Sequence, residues 1–366
     1  IDHPNAIITK EFYRGKNIMN KEKKLYLREL RNPLEIFSCK KIIKMMLIRK
    51  KGKFKKFIRN VLELIILLNY EISCYKGRVY VKKSEDYIIG VIPIHKNGKS
   101  DISKIIRNIN KVIKEEKINN IIVSEELKKI DGIKNTFVSK SLENGKYLLK
   151  IMIDKAIEYI SNTKNERIEN QTIYILVNEY SKINLEIIQL LTYKAKSVNI
   201  VTNQLRRFLI FEKKIYENSG IMITVSNNKR KGIKRASWII NFDFSQEELL
   251  QYNINRDAFF INLQEDEIKI SKSFSGVFIN GLLIKESVNK QLQMITGYKL
   301  FNQTILYEST IDKNKSFEEI RKKIENDNVE IKALIGSRGK IEASEYIKMA
   351  WQIVKSRLIY SIFNKG

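Results

Sequence analysis

The chain reads as an α/β protein: a degenerate doubly wound, Rossmann-like parallel sheet, with a basic helical N-terminal region before it and a C-terminal α+β part after it. Three observations predict this. Between residues 166 and 265, five short apolar runs alternate with helical stretches, as expected of parallel strands buried on both faces and joined by crossover helices. Residues 33–68 place apolar side chains at three- and four-residue spacing with Lys and Arg between them, the mark of basic amphipathic helices. Beyond residue 265 the runs shorten and mix strand with helix.

Taken in order, residues 1–18 precede the first methionine, Met19. Arg14-Gly15 can be encoded by a purine run just ahead of that codon, so the stretch reads either as leader sequence or as an N-terminal arm. Residues 19–85 form the basic helical region, closing with the β-rich run 77–83. Residues 86–165 form a small α/β unit: a strand at 87–94, a helix begun by Asp101, a strand at 118–124 and a helix over 146–160. Gly98-Lys99-Ser100 has the end of a phosphate loop, but Pro93 stands where that motif needs its first glycine, so a polar turn capped by Asp101 is expected.

The Rossmann-like domain, 166–265, has strands predicted at 173–177, 198–202, 221–225, 238–242 and 258–263. Helices are expected at 184–196, from the end of the strand at 198–202 to about Asn218 before Gly220, and at 246–252. The last part, 266–366, has short strands over 268–272 and 276–284, a strand at 304–307, a helix at 316–326 and a long amphipathic helix over 342–363. The loop Gly336-Ser337-Arg338-Gly339-Lys340 is expected to be a tight turn between strand and helix.

Composition removes several functions. Two cysteines and two histidines, Cys39, Cys74, His3 and His95, make neither a disulfide framework nor a zinc site, and a nucleophile-His-acid triad would rest on His95 alone. The longest apolar run, 61–68, holds Glu63 and is far short of the ~20 residues of a membrane span. Abundant Ile, Lys and Asn match AT-rich codons, and a cytoplasmic bacterial protein is expected. The net charge is +27, of which +15 falls in residues 1–83. Residues 40–59 hold no acid, and Lys50, Lys51, Lys53, Lys55, Lys56 and Arg59 are the candidates for contact with nucleic acid or another anionic surface.

In a doubly wound sheet ligands lie beyond the carboxyl ends of the strands. The polar residues there are Asn178 and Glu179, Asn203, Asn227 and Asn228, Asp243 and Asn262, which serve either as turn formers or as the wall of a ligand crevice. Lys-Asp or Glu-Lys chemistry leaves no readable spacing. In its second strand, VNIVTNQLRR, and its fourth, KRASWIINFD, the stretch 170–265 resembles the nicotinamide-binding domain of the shikimate dehydrogenase and glutamyl-tRNA reductase group. The resemblance implies Asn203, Arg206 and Arg207 as candidates for a cofactor ribose phosphate, with Asn227 and Asp243 lining the same crevice. The first turn departs from the family: Val177-Asn178-Glu179-Tyr180-Ser181-Lys182 has no glycine and adds a negative charge. The expectation is therefore no resident dinucleotide and a non-catalytic scaffold or small-ligand, regulatory module. An NADP-type oxidoreductase and a nucleic-acid-binding protein are the alternatives.

Overall fold

A computed structural model describes residues 24–30, 64, 67–83, 87–94, 100–118, 120–138, 144–163, 167–228, 233–265, 268–269, 271, 273–285 and 301–346. The expectations for residues 1–18 and 40–59, for His95, Gly98 and Lys99, and for most of the closing helix lie outside them. The chain divides into two compact units, residues 1–143 with 289–306 and residues 144–288 with 307–366.

In the first unit β1 (Lys24–Glu29), β2 (Tyr80–Lys83), β3 (Tyr87–Ile92) and β4 (Asn120–Val123) form one sheet in the order β2-β3-β1-β4. β1 runs parallel to both neighbours, and β2 is antiparallel to β3. The period-two alternation of β1 sends Leu25 and Leu27 into one core with Ile88, Ile92, Ile121 and Val123, and Tyr26 into another with Ile89, Ile122 and Phe301. Residues 67–76 form α1. The amphipathic α2 (Ile102–Glu116) buries Ile105 and Ile109 against the first core, and Asp101 caps it by accepting the Lys104 N–H at 3.1 Å. Gly90 lets β3 approach β1 closely, since a Cβ there would lie 2.7 Å from Leu27 Cδ2. The sheet crosses the division expected at residue 85, because β1 finds its partners far along the chain, where no local pattern points.

The second unit is built on β5 (Thr172–Leu176), β6 (Ser197–Val201), β7 (Thr224–Ser226), β8 (Trp238–Asn241), β9 (Phe259–Asn262) and β10 (Val277–Ile279), in the order β10-β9-β8-β5-β6-β7. Every neighbouring pair is parallel. This is the doubly wound order, with its reversal between β5 and β8. Alternate residues divide between two cores. Ile173, Ile175, Ile200, Ile240 and Ile261 face α3 (Lys146–Ile151), α4 (Ile153–Thr163), α5 (Lys182–Lys194) and α6 (Leu205–Ser219), while Leu176, Val201, Ile239 and Phe260 face Phe244, Leu249 and Tyr252 on and around α7 (Gln246–Leu249). Gly220 ends α6 at φ +69.

The sheet continues past the division expected at residue 265, because β10 adds parallel to β9. Residues 304–307 are helical, within α8 (Gln303–Glu308), not a strand. Asn302 starts that helix by accepting the Thr304 N–H at 2.9 Å, a local cap that outweighs the β-branched run. The helix expected over 146–160 breaks at Met152 (φ −98, ψ 19), which separates α3 from α4. No strand forms at the described positions of 268–272. A small antiparallel sheet, β11 (Gly281–Ile284), β12 (Ile331–Gly336) and β13 (Gly339–Lys340), completes the unit with α9 (Phe317–Asn326). The turn at 336–340 therefore joins two strands, not strand and helix, with Gly339 at φ +108.

Asp154, fully buried on α4, links three helices. Lys194 of α5 donates to it at 2.6 Å and Arg321 of α9 at 2.9 and 3.0 Å. Burial pushes its carboxyl up, but these two cations overcome that and hold it below the usual range.

Candidate functional site

The carboxyl edge of the six-stranded sheet gathers polar groups at the switch between β5 and β8. Past β5 the chain turns through residues 177–181 into α5, with Ser181 as N-cap. In a dinucleotide-binding turn the amides here face a pyrophosphate. In this chain they face Asp243: the Asn178 N–H donates to Oδ1 at 2.7 Å and the Glu179 N–H to Oδ2 at 2.6 Å. β8 delivers Asp243 two residues past its last residue, Asn241. Burial raises the Asp243 carboxyl above its ordinary range, with the two amides and Lys150 opposing.

A second carboxylate closes the adjoining space. Glu248 Oε1 accepts from Asn178 Nδ2 at 2.7 Å and from Asn203 Nδ2 at 2.9 Å, and its Oε2 accepts the Ser245 N–H at 2.9 Å. Asn178 Oδ1 accepts the Asn203 N–H at 2.8 Å, which ties the end of β6 to the end of β5. Ser245 and Glu248 form a reciprocal capping box at the start of α7, so one side chain both begins a helix and spans the crevice. Behind Glu179, the buried Asn184 donates to its carbonyl at 2.9 Å and its carboxylate at 3.2 Å, so a negative group of the protein lies at the start of α5.

The structure thus brings Asn178, Glu179, Asn203 and Asp243 together. Arg206 and Arg207 are exposed on the first turn of α6, and Asn227 is exposed beyond the edge strand β7. Glu248 was not among the residues read as candidates. The spacing Ser245-x-x-Glu248 carried a cap signal but nothing that pointed across the crevice.

Along the same edge, Asn241, Asn262 and Asn280 follow one another at the ends of β8, β9 and β10. Asn241 Nδ2 donates to Asn262 Oδ1 at 3.1 Å, and Asn262 Nδ2 donates to Asn280 Oδ1 at 3.0 Å. Lys146 of α3 terminates this ladder, donating from Nζ to the Asn262 carbonyl at 2.8 Å and to Asn280 Oδ1. Burial pushes the Lys146 ammonium down to about 7. One turn later Lys150 lies 5.6 Å from the Phe242 ring centre; burial lowers it too, while Glu179, Asp243 and Glu265 pull it back up. Neither lysine stands out in the sequence, because a lysine in an amphipathic helix reads as solvated until tertiary packing buries it.

Among the described residues no group of three or more His, Cys, Asp or Glu could hold a metal ion, and no helix is long and apolar enough to cross a membrane. No protein-family model and no curated protein matches the sequence. Similar solved structures include a shikimate dehydrogenase in complex with NADP+, 13% identical, with TM-score 0.28 over 85% of this chain and 98% of that one. The L-tryptophan dehydrogenase of Nostoc punctiforme is 8% identical, with TM-score 0.30 over 84% of this chain and 89% of its own. The ornithine carbamoyltransferase of Pyrococcus furiosus is also 8% identical, with TM-score 0.23 over 66% of this chain and 72% of its own. Likeness at this level carries no argument about activity; the Rossmann-type fold rests on the strand order itself.

Proposed function

We propose that the doubly wound domain is a degenerate member of its fold that takes no nicotinamide dinucleotide and acts as a scaffold or regulatory module for another small ligand. One observation carries the reading: the Asp243 carboxylate accepts both first-turn amides, of Asn178 and Glu179, that a pyrophosphate would need. Displacing it would break two hydrogen bonds to a charged acceptor, each contributing about 1.5–3 kcal/mol. Together the two, about 3–6 kcal/mol, move a ligand of about 1 μM affinity to about 0.15 mM at best and to about 20 mM with the larger figure. Glu179 adds like-charge repulsion at the same turn, so the residues present do not fit a dinucleotide.

Calorimetric titration of the full chain with NAD and NADP tests this directly, and no saturable heat is expected at micromolar ligand. The alternative, an NADP-type oxidoreductase, draws support from Arg206 and Arg207, exposed three and four residues after Asn203. Saturable micromolar binding that disappears in Arg206→Ala or Arg207→Ala would establish that alternative and overturn the present reading.

A further inference from the structure

Lys146 combines three properties that a structural lysine rarely shares. It is 7% exposed, and among the described residues it forms no ion pair. Its Nζ is held by neutral acceptors only, the Asn262 carbonyl and the Asn280 side chain, at the carboxyl ends of β9 and β10, the side of a doubly wound sheet on which ligands bind. A buried ammonium without a carboxylate is costly, and the neutral amine relieves that cost while still donating both hydrogen bonds. The neutral amine is also the nucleophilic form.

We propose that Lys146 is a carbonyl-capturing amine that forms a reversible imine with a small, uncharged, hydroxyl-bearing aldehyde or ketone. The Nζ lone pair adds to the carbonyl carbon, giving a carbinolamine. Loss of water then forms C=N, the carbonyl oxygen leaving with both amine hydrogens, and no oxidant or reductant takes part. The surroundings set the ligand class. The Asn280 side chain, which accepts through Oδ1, leaves its Nδ2 to donate to a ligand hydroxyl, whereas Glu179, Asp243 and Glu265, gathered around Lys150 one turn away, disfavour an anion. Exclusion of bulk water protects the imine from hydrolysis.

The test uses the native full chain, glyceraldehyde and sodium cyanoborohydride at pH 7, with the alkylated lysines mapped by peptide mass spectrometry. An exposed lysine is neutral to about 0.04% at that pH and an amine near 7 to about half. Allowing for its lower basicity, Lys146 is expected to be modified about a hundredfold faster than exposed residues such as Lys182 and Lys213. Lys146→Arg keeps a donor at the position but forms no imine, so modification there should vanish while the exposed lysines react as before. Glyoxylate, an anionic aldehyde, should modify Lys146 at least tenfold more slowly than glyceraldehyde. Modification of Lys146 no faster than of exposed lysines, or only after denaturation, would overturn the proposal even if the variant failed to fold. Equal reaction with glyoxylate would overturn the ligand class. Neither outcome depends on dinucleotide binding.

Discussion

Asp243 and Lys146 show how burial changes what a side chain contributes. Asp243 accepts two amides, yet its carboxyl is raised, so burial costs it more than the amides return. Asparagine resembles the protonated acid and keeps one acceptor. Asp243→Asn should therefore lie within about 1 kcal/mol of the parent and Asp243→Ala about 1–3 kcal/mol below it, as read by urea unfolding. Lys146 works in the opposite charge sense. With its folded value near 7 against an ordinary 10.5, the unfolded chain holds a proton that the folded chain has released across that window. Stability from this group therefore rises with pH between about 7 and 10.5 and is lost as pH falls back across that window. Between pH 7 and 9 the gain is about 2 kcal/mol. Lys150, with Asp243, Glu179 and Glu265 around it, is also lowered by burial, so the measurement is the difference in pH dependence between the parent and Lys146→Met, the variant being flatter by that amount.

Helix ends and helix contacts set the next scale. Ser316 opens α9 with a reciprocal capping box, its side chain accepting from Glu319. Ser316→Ala should cost about 1 kcal/mol. Ser245→Ala should cost at least as much, because α7 carries the Glu248 bridge to Asn178 and Asn203 as well as its own first turn. A loss at Ser245 smaller than that at Ser316 would show that the bridge adds nothing. Asp154 binds α4 to α5 and α9 from a fully buried position, so Asp154→Ala leaves Arg321 and Lys194 without their shared carboxylate. A loss of about 3–5 kcal/mol is expected, large enough to see as a fall in melting temperature.

For the whole molecule, the strongest signal is charge: +27 in all, with +15 in residues 1–83. We propose the basic run at 40–59 as the contact for a polyanion, since ten of its residues are Lys or Arg and none is acidic. Five phosphate contacts would give a slope of about −4.5 in log affinity against log salt on duplex DNA, with weak binding indifferent to sequence. Duplex DNA, RNA and anionic vesicles compared at two salt concentrations test it. Changing Lys50, Lys51, Lys53, Lys55 and Lys56 to Gln should weaken binding to the preferred partner, and unchanged binding to all three would refute the assignment.

Much of the doubly wound domain was legible because its determinants are local. Short apolar runs such as 173–177 and 258–263, alternating with helical stretches, suit strands covered on both faces, and Gly220 marks a helix end that needs positive φ. The missing glycines of the first turn were legible for the same reason. Tertiary structure decided what depends on partners distant in sequence: β1 joining β3 and β4, and β10 extending the sheet beyond residue 265. It also decided the site. Asn178 and Asp243 were visible as polar strand ends, but only packing shows that one caps the other's turn, that Glu248 crosses between Asn178 and Asn203, and that Lys146 is buried without an acid. Local pattern follows from backbone preference and hydrophobic period. The ionisation of a side chain follows from the solvent it loses and the charges it meets, and both are set by the rest of the chain.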